Sequence, residues 1–446
     1  MKIFRNILMK SVLFTFRPKM LKYYLMLRSM EYQSLEYLVW SQEEKLREFI
    51  PYINKDVEYY KELFLNNRIN PVEIKNIKDL EKIPLLDKKI IKSRTDDFYC
   101  RHINKIPHFN HRTGGSTGIP LEYKMSLSDY YLGIIVRLFN WGFAGYEFGD
   151  KVFVIAGYSL IPDIKYEINQ KLKNFAFNTK MFSSYQLSHS KLDEVYLKLI
   201  KQKPNFIWGY PSSLYILAKF FQDNNYSLSY TIKGIFTTSE RLLSFQRRKL
   251  MEVFQTQVFD TWGLNDGGGS AYECEFHKGM HVDMVRSILE VLDENKKQVT
   301  EGEGEIYLTG LYNIAMPFLR YNTGDIAKIT YKKCKCGRES PRILEIMGRE
   351  ADILNLNDIQ IGGPILTILM GKLSIEQYQI IQTGPRDLII RMVKSKFYIT
   401  EKSENFIRET FQKNVGSLNI KFEYPDIIHT EVGQKYKFII NKYNGK

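Results

Sequence analysis

Short apolar runs alternate with amphipathic segments through the middle of the chain. The runs at 151–157, 206–209 and 234–238 end in glycine or polar residues and predict buried strands. Between them, apolar residues at 192–200 and 214–220 recur every three or four positions, which predicts helices that bury one face. Strands that alternate with helices are typical of a parallel sheet. We therefore predict an α/β fold with mostly parallel sheets.

Two further patterns precede this region. Residues 32–65 have helical spacing with a predicted break at Pro51, because proline lacks the amide N–H that a helix interior needs. Residues 1–30 mix Lys and Arg with apolar side chains. That mixture fits a basic amphipathic helix on an anionic membrane surface, or a helix packed on the protein's own body with its charges in water.

Composition narrows the class of protein. The chain has 446 residues, of which 44% are hydrophobic, so it can bury a large core and is globular. It has no apolar run of the ~20 residues that cross a bilayer and no secretory signal, so we expect a cytoplasmic protein, with a peripheral contact at the inner membrane face if residues 1–30 bind lipid. The net charge of +14 is spread along the chain without a nucleic-acid-binding motif, so no nucleic acid partner is expected.

A loop between residues 111 and 120 combines glycines with hydroxyl side chains. Glycine lets backbone N–H groups approach an anion closely, and Ser and Thr add hydroxyl donors, so the loop is a candidate clamp for the phosphates of ATP. It is not a P-loop, because Ile119 stands where that motif requires Lys. A flexible linker is the alternative. The candidate phosphate-binding residues are Thr113, Gly114, Gly115, Ser116, Thr117 and Gly118.

Polar or glycine-rich loops follow the predicted strands. Ligands of open parallel sheets bind where loops leave the carboxyl ends of the strands. The segments 209–213, 237–241 and 262–266 are therefore expected at one crevice.

Three of the four cysteines, together with one histidine, form a candidate metal site. Thiolate and imidazole ligands suit tetrahedral zinc, although the close Cys-x-Cys spacing is weaker evidence than paired Cys-x-x-Cys knuckles. Reduced thiols without a metal are the alternative. The candidate ligands are Cys274, His281, Cys334 and Cys336.

Four motifs in order resemble the adenylate-forming superfamily of acyl-CoA synthetases, most closely its phenylacetate-CoA ligase branch with capsular polysaccharide biosynthesis members. The family's phosphate loop is similar to 113–120, its aromatic-Gly-x-x-acid motif to 262–266, its Y-x-T-G-D motif to 321–325 and its G-R-x-x-D motif to 348–352. The resemblance implies a large ATP- and acid-binding domain and a small, mobile α+β domain. With the basic N-terminal segment, the expected boundaries are 1–30, 31–350 and 351–446.

The resemblance implies a role for each nucleotide-binding residue. Asp325 would accept hydrogen bonds from both ribose hydroxyls, although its tetrapeptide alone is typical of an ordinary turn. Trp262, followed by Gly263, offers a flat face to adenine, and Asp266 offers oxygen to Mg²⁺. The family usually has Tyr and Glu at these two places, and the shorter Asp changes how the metal is reached. Arg349 belongs to the fourth motif.

Three further positions carry expectations. Ser239 and Glu240 match a Gly-Glu segment that lies against adenine in relatives, and a helix cap before a helical run at 241–254 is the alternative. Asp352 would mark the hinge of the small domain. Lys435 is the expected catalytic lysine, with Lys437 as its rival because Gln434 separates the lysine from Gly433, and a solvated terminal lysine is the alternative.

The implied enzyme uses ATP and Mg²⁺ to join a small carboxylic acid to AMP, releases pyrophosphate, and transfers the acyl group to CoA. Transfer to an amine or hydroxyl of a surface-polysaccharide precursor is the second hypothesis, and a degenerate nucleotide-binding scaffold is the third. The sequence does not name the acid. Four aromatic residues are candidates for its pocket and equally for the core, namely Trp141, Tyr158, Tyr210 and Phe236.

Overall fold

A computed structural model describes residues 18–112, 121–156, 178–183, 189–349, 354–356, 359–361, 366, 369–370, 373–428 and 437–443. The α-helices with defined bounds are α1 (Pro18–Met30), α2 (Leu35–Asp56), α3 (Glu58–Asn66), α4 (Lys88–Ser93), α5 (Leu127–Trp141), α6 (His189–Gln202), α7 (Pro211–Asp223), α8 (Ser244–Phe254) and α9 (Thr400–Val415). The strands are β1 (His108–Arg112), β2 (Glu122–Ser126), β3 (Val152–Ala156), β4 (Thr179–Ser183), β5 (Phe206–Gly209), β6 (Gly234–Thr237), β7 (Val258–Phe259), β8 (Thr261–Gly263), β9 (Ser270–Glu273), β10 (Met280–Val282), β11 (Ser287–Leu292), β12 (Glu301–Gly310), β13 (Tyr321–Thr330), β14 (Arg342–Arg349), β15 (Leu354–Leu356), β16 (Ile359–Ile361), β17 (Ile375–Gln382), β18 (Asp387–Lys394), β19 (Asn419–Glu423) and β20 (Ile439–Asn441).

The predicted parallel sheet is confirmed. Its five strands lie in the order β4-β3-β5-β6-β7, and every neighbouring pair is parallel. Helices α6, α7 and α8 bury their apolar residues against it in one core that includes Val195, Leu214 and Leu250. The apolar runs of β3, β5 and β6 are continuous because residues on both faces of these strands are buried.

The segment 262–266, which we expected beside the parallel strands, begins on a strand of a seven-stranded sheet. This sheet has the order β11-β12-β13-β14-β10-β9-β8, and β8 pairs antiparallel with β9. Trp262 faces Ala271 in that register. The chain leaves the parallel sheet after Phe259 and enters the second sheet only two residues later. The expectation that all three loops leave strands of one sheet is therefore wrong for this segment.

The predicted helix break at Pro51 is also wrong, since α2 continues through Pro51 and ends at Asp56. Pro51 is exposed, while its neighbours Phe49, Ile50 and Ile53 are buried in one core. Packing on both sides of the proline therefore holds the helix together although one amide donor is missing.

Helix α1 packs on the protein itself. Its residues Met20 and Leu27 are buried, and the ring of Tyr24 meets Phe139 of α5 edge to face at 6.1 Å. For residues 18–30 this favours the alternative of a helix docked on the body of the protein. Residues 1–17 lie outside the described part of the chain. In the described ranges, no helix is both long and apolar enough to cross a membrane.

The described residues divide into two compact units, one within 18–323 and 327–345 and the other made of 324–326 and the described residues after 345. Beyond β14, the second unit contains a sheet of order β19-β18-β17-β20 with α9. Strands β17 and β18 are antiparallel, whereas β20 and β19 pair with them in parallel. Ile380, Ile390 and Phe411 lie in its core. The boundary after residue 350 and the mobility of this unit stay predictions.

Candidate nucleotide and metal sites

The aromatic-acid motif places a buried carboxylate beside a buried tyrosine. Trp262 is 7% exposed on β8, and Asp266, in the turn that follows, is 5% exposed. The hydroxyl of Tyr321, the first residue of β13, donates to Asp266 Oδ2 at 2.7 Å. Two consecutive glycines, Gly267 and Gly268, continue the turn with φ of +100° and +75°. The turn thus fixes the carboxylate between two strands of the seven-stranded sheet.

Asp325 lies on β13, four residues after Tyr321, and is buried. The predicted turn at 322–325 is therefore wrong, because these residues are part of a ten-residue strand. Thr323 supports the strand, since its hydroxyl donates to the Ile306 carbonyl of β12 at 2.9 Å. A strand carrying a buried aspartate keeps a carboxylate at a fixed position, as a ribose-binding role requires.

Ser239 and Glu240 follow the carboxyl end of β6. Ser239 has a φ of +70°, a conformation that glycine adopts more readily than serine. The alternative of a helix cap at this position is wrong, because α8 begins at Ser244 and its cap residue is Leu243. Gln246 closes that cap by accepting from the Leu243 amide at 3.0 Å. The segment is thus a loop at the edge of the parallel sheet.

The structure says less about the remaining predicted nucleotide-binding and catalytic residues. The phosphate loop 113–118, Asp352 and Lys435 lie outside the described residues. Arg349 is the last residue of β14, and Gly263 is the last of β8. Lys437 lies just before β20, where its backbone carbonyl accepts from the side chain of Gln379 at 3.1 Å.

A pair of neighbouring carboxylates, Asp260 and Glu273, lies beside the aromatic-acid motif and was missed in the sequence analysis. Asp260 Oδ1 accepts from the Thr237 hydroxyl at 2.6 Å, and the Asp260 amide donates to Glu273 Oε2 at 2.8 Å. Arg247 donates to the other Glu273 oxygen at 2.8 Å. Burial, and then the nearby Glu273 charge, raise the pKa of Asp260 to about 6. Only its position two residues before Trp262 could have indicated Asp260 from the sequence.

The sequence analysis also missed a buried ion pair. Arg286 donates to both oxygens of Asp129 at 2.8 and 2.9 Å, and both side chains are nearly inaccessible. Burial lowers the pKa of Arg286, but the Asp129 carboxylate more than offsets this and the net pKa is raised. The pair lines a cavity together with Gly267 and Gly268 of the Asp266 turn. A charged, bidentate contact therefore forms one wall beside that turn.

The four predicted metal ligands come together. Their donor atoms all lie within 4.8 Å of one another, with Cys274 Sγ 3.8 Å from Cys334 Sγ and Cys336 Sγ 3.2 Å from His281 Nε2. The remaining ring nitrogen of His281 lies 3.1 Å from the Ser340 hydroxyl. A hydrogen bond from the Cys274 thiol, then the neighbouring His281, lower the pKa of Cys336.

These distances fit tetrahedral zinc. With Zn–S bonds of about 2.3 Å, two thiolates at the tetrahedral angle are about 3.8 Å apart, whereas a disulfide would need about 2.05 Å. The contact of Ser340 with the outer nitrogen of His281 is the kind of support that orients a metal-binding imidazole.

Of the aromatic pocket candidates, Trp141 and Phe236 stack flat on each other, with centroids 4.5 Å apart and planes at 7°. Both are buried, as is Tyr210, and Tyr158 lies outside the described residues.

Comparison with known proteins identifies relatives of this chain. The CapK C-terminal domain family matches residues 359–442. Protein CapK of Staphylococcus aureus is 25% identical over 414 residues, covering 90% of this chain and 88% of CapK. A phenylacetate-coenzyme A ligase of Thermus thermophilus is 26% identical over 334 residues, covering 72% of each chain. The resemblance to adenylate-forming ligases, in the branch of phenylacetate-CoA ligases and CapK, is confirmed by these relatives.

A solved structure shares this fold. A 2-hydroxyisobutyryl-CoA ligase, in the postadenylation state with an acyl-AMP, superposes with a TM-score of 0.75 at 17% identity over 93% of this chain and 91% of that one. The α/β class with a C-terminal domain is confirmed. The phenylacetate-CoA ligase relatives support the predicted adenylate-forming acid ligase.

Proposed function

We propose that this enzyme activates a small carboxylic acid with ATP and passes the acyl group to CoA. The observation that carries the proposal is the buried Asp266, which follows the nucleotide-motif Trp262 and is held by the Tyr321 hydroxyl. A carboxylate oxygen of the acid attacks the α-phosphorus of ATP, the bond to the β-phosphate breaks, and pyrophosphate leaves. The CoA thiol then attacks the acyl carbonyl, AMP leaves, and the thiol proton passes to solvent.

Each residue has a distinct task in this scheme. Asp266 suits Mg²⁺ because it is a hard oxygen ligand that a neighbouring hydroxyl already orients, and the ion would neutralise charge on the phosphates. Asp325 would accept from the ribose hydroxyls, and Trp262 and the 239–240 loop would flank adenine. The glycine loop 113–118 would bind phosphates. Lys435, or its rival Lys437, would stabilise the negative charge that accumulates while AMP is transferred from ATP to the acid.

Carboxylate-dependent ATP–pyrophosphate exchange tests the proposal. With a panel of acids, Asp266→Asn should lower exchange at least a hundredfold, because a charged metal ligand is lost, an effect of about 3 kcal/mol. Tyr321→Phe should lower it about tenfold, because one hydrogen bond to a carboxylate is worth roughly 1.5 kcal/mol. Tyr307→Phe is the matched control, since that hydroxyl donates instead to Glu305 at 2.6 Å. Wild-type exchange that no acid stimulates would contradict the proposal.

A second type of acceptor for the acyl group is suggested by the likeness to CapK. The likeness to CapK extends over 90% of the chain, and the CapK C-terminal domain family matches 359–442. Because the resemblance includes capsular polysaccharide biosynthesis members, an amine or hydroxyl of a surface-polysaccharide precursor is the alternative acceptor. Product analysis with and without CoA separates the two routes. Nucleotide binding without exchange would instead favour a scaffold role. A cytoplasmic location, with contact of the N-terminal segment 1–30 at the inner membrane face, stays a prediction.

We infer that Cys274, His281, Cys334 and Cys336 hold one structural zinc ion. The cluster joins β9 and β10 to the segment just before β14, so the metal would tie together the middle of the seven-stranded sheet. Four protein ligands leave no open position, as is usual for a structural site.

Metal analysis of the purified protein should find one zinc per chain. Cys334→Ala should lose the metal and lower the melting temperature, because a structural zinc contributes directly to folding. Cys100→Ala is the control, since this buried cysteine lies outside the cluster and accepts a hydrogen bond from Tyr52 at 3.0 Å. Protein purified without chelators that is stable and free of zinc would contradict the inference.

A further inference from the structure

Arg320, the residue immediately before β13, has a strained backbone. Its φ is +46°, in the left-handed region that glycine adopts readily and that costs free energy for a residue with a side chain. The next residue, Tyr321, begins β13 and donates its hydroxyl to Asp266. The backbone at residue 320 sets the direction in which β13 begins, and therefore where Tyr321 points. Strain directly before a residue of a candidate site indicates a functional constraint.

Backbone hydrogen bonds hold this bend on both sides. The Arg320 amide donates to the Thr309 hydroxyl of β12 at 3.0 Å. The Arg320 carbonyl accepts from the Leu86 amide at 3.0 Å, and the Leu86 carbonyl accepts from the Asn322 amide at 2.7 Å. Leu86 thus pairs with the chain on both sides of Tyr321, whose side chain is fully buried. The backbone around Tyr321 is therefore fixed by two neighbouring segments.

The side chain of Arg320 forms a buried ion pair with Glu290 of β11. Its Nε lies 3.2 Å from each carboxylate oxygen, and one terminal nitrogen lies 3.0 Å from Oε1. The other terminal nitrogen donates to the Ile83 carbonyl at 2.9 Å. Arg320 is 5% exposed and Glu290 is 4% exposed. The guanidinium therefore connects the start of β13 to β11 and to the segment before α4.

Stability alone does not account for this ion pair. The loss of hydration offsets most of the attraction between two buried charges, so apolar side chains of similar size often stabilise a fold equally well. Burial raises the pKa of Glu290, and the charge of Arg320 opposes this rise without cancelling it. The charged form of Glu290 is therefore disfavoured overall in the folded protein. A precise geometry is the property that charged, paired hydrogen bonds add to an apolar contact.

We propose that Arg320 is a positioning residue for activation of the acid. Together with Glu290, it holds the backbone bend that directs the Tyr321 hydroxyl to Asp266. This inference rests on the proposed function, in which Asp266 binds Mg²⁺. Arg320 does not contact the reactants in this scheme and acts through Tyr321. Hydrogen bonds that orient a metal-binding carboxylate contribute to metal affinity.

The test replaces both partners of the ion pair by apolar side chains, in a pair variant that combines Arg320→Met and Glu290→Leu. No unpaired charge is left buried at this ion pair, so we expect a melting temperature near that of the wild type. The pair variant is compared with Tyr321→Phe and with a triple variant that carries all three substitutions. Arg94→Met is the control and should keep wild-type exchange, since this arginine pairs instead with Glu62 at 2.6 Å.

We expect the pair variant to lower ATP–pyrophosphate exchange about tenfold, as expected for Tyr321→Phe, because both lose the hydrogen bond to Asp266. The triple variant should stay within about twofold of Tyr321→Phe, since residues that act through one contact are not additive. The KM for Mg²⁺ should rise in the pair variant, while the KM for the acid stays unchanged. A crystal structure of the pair variant without ligands should show the Tyr321 hydroxyl more than about 3.5 Å from Asp266.

A folded pair variant with wild-type exchange, or with the Tyr321–Asp266 hydrogen bond intact, would overturn the inference. A triple variant about tenfold slower than Tyr321→Phe would do the same, because Arg320 would then act independently of Tyr321. If the pair variant does not fold, Arg320→Lys, which lacks the planar fork, decides by the same comparisons. Absence of exchange in the wild type would contradict the proposed ligase, and the crystal structure would still test the positioning role.

Discussion

At the scale of single residues, Asp260 joins the parallel sheet to the aromatic-acid motif. It accepts a hydrogen bond from Thr237 at the end of β6 and lies two residues before Trp262. It is also a buried acid near a second carboxylate, Glu273, so its negative form is disfavoured.

The pH dependence of stability follows from this position. The pKa of Asp260 rises from 3.8 to about 6 on folding, so the folded state binds more protons between pH 4 and 6 and stability falls as the pH rises through this window. Asp260→Asn keeps an oxygen acceptor for Thr237 without the charge. It should be more stable than the wild type at pH 7 by roughly 1–3 kcal/mol and flatten the slope between pH 4 and 6.

Urea unfolding at several pH values measures this slope. The exposed Asp223→Asn on α7 is the control and should keep the wild-type profile. If the Asp260→Asn and wild-type curves remain parallel from pH 4 to 7, the buried charge of Asp260 does not influence folding.

At the scale of elements, close contact between β5 and β3 depends on Gly209. A Cβ at this position would overlap the backbone carbonyl oxygen of Ile155, which cannot move without disturbing β3. The Gly209 carbonyl also accepts from the Thr238 amide at 3.3 Å, so it links the loops that leave β5 and β6.

We expect Gly209→Ala to lower the free energy of unfolding by about 2–3 kcal/mol through overpacking. Gly142→Ala is the matched control, because an added Cβ meets nothing within 4 Å there and its φ of −57° suits alanine. Thermal denaturation compares the two variants. Equal melting temperatures would show that β3 and β5 can separate without cost.

The sequence predicted β3, β5 and β6 well because both faces of these strands are buried and their apolar runs are continuous. It failed where tertiary contacts override local preference. Pro51 lies inside a helix because buried neighbours hold it, and residues 322–325 form a strand because β12 and β14 flank them. The candidate metal ligands were predictable from residue type. The Tyr321–Asp266 contact was not, since it depends on distant segments.

At the scale of the whole molecule, two compact units serve one proposed reaction with two steps. If residue 352 is the hinge of the predicted small domain, its backbone dihedrals must change between acyl-adenylate formation and acyl transfer. Proline fixes φ near −65° and removes that freedom.

Asp352→Pro should therefore separate the two steps. We expect the rate of pyrophosphate exchange to stay within about threefold of the wild type. The rate of acyl-CoA formation should fall at least a hundredfold, which an increase of about 3 kcal/mol in its activation free energy would produce. Asp352→Ala, which keeps backbone freedom, should retain both steps. Equal loss of the two steps in Asp352→Pro would contradict a hinge at this residue.

Oxygen transfer from acid to nucleotide tests the central claim most directly. The acid selected by the exchange screen is labelled with ¹⁸O in its reacting carboxylate, incubated with ATP, Mg²⁺, enzyme and acceptor, and the nucleotide is analysed by mass spectrometry. If an acyl-adenylate forms, its cleavage at the acyl carbon leaves one ¹⁸O in AMP. Label in inorganic phosphate with ADP as the nucleotide product, or AMP without label, would contradict the account.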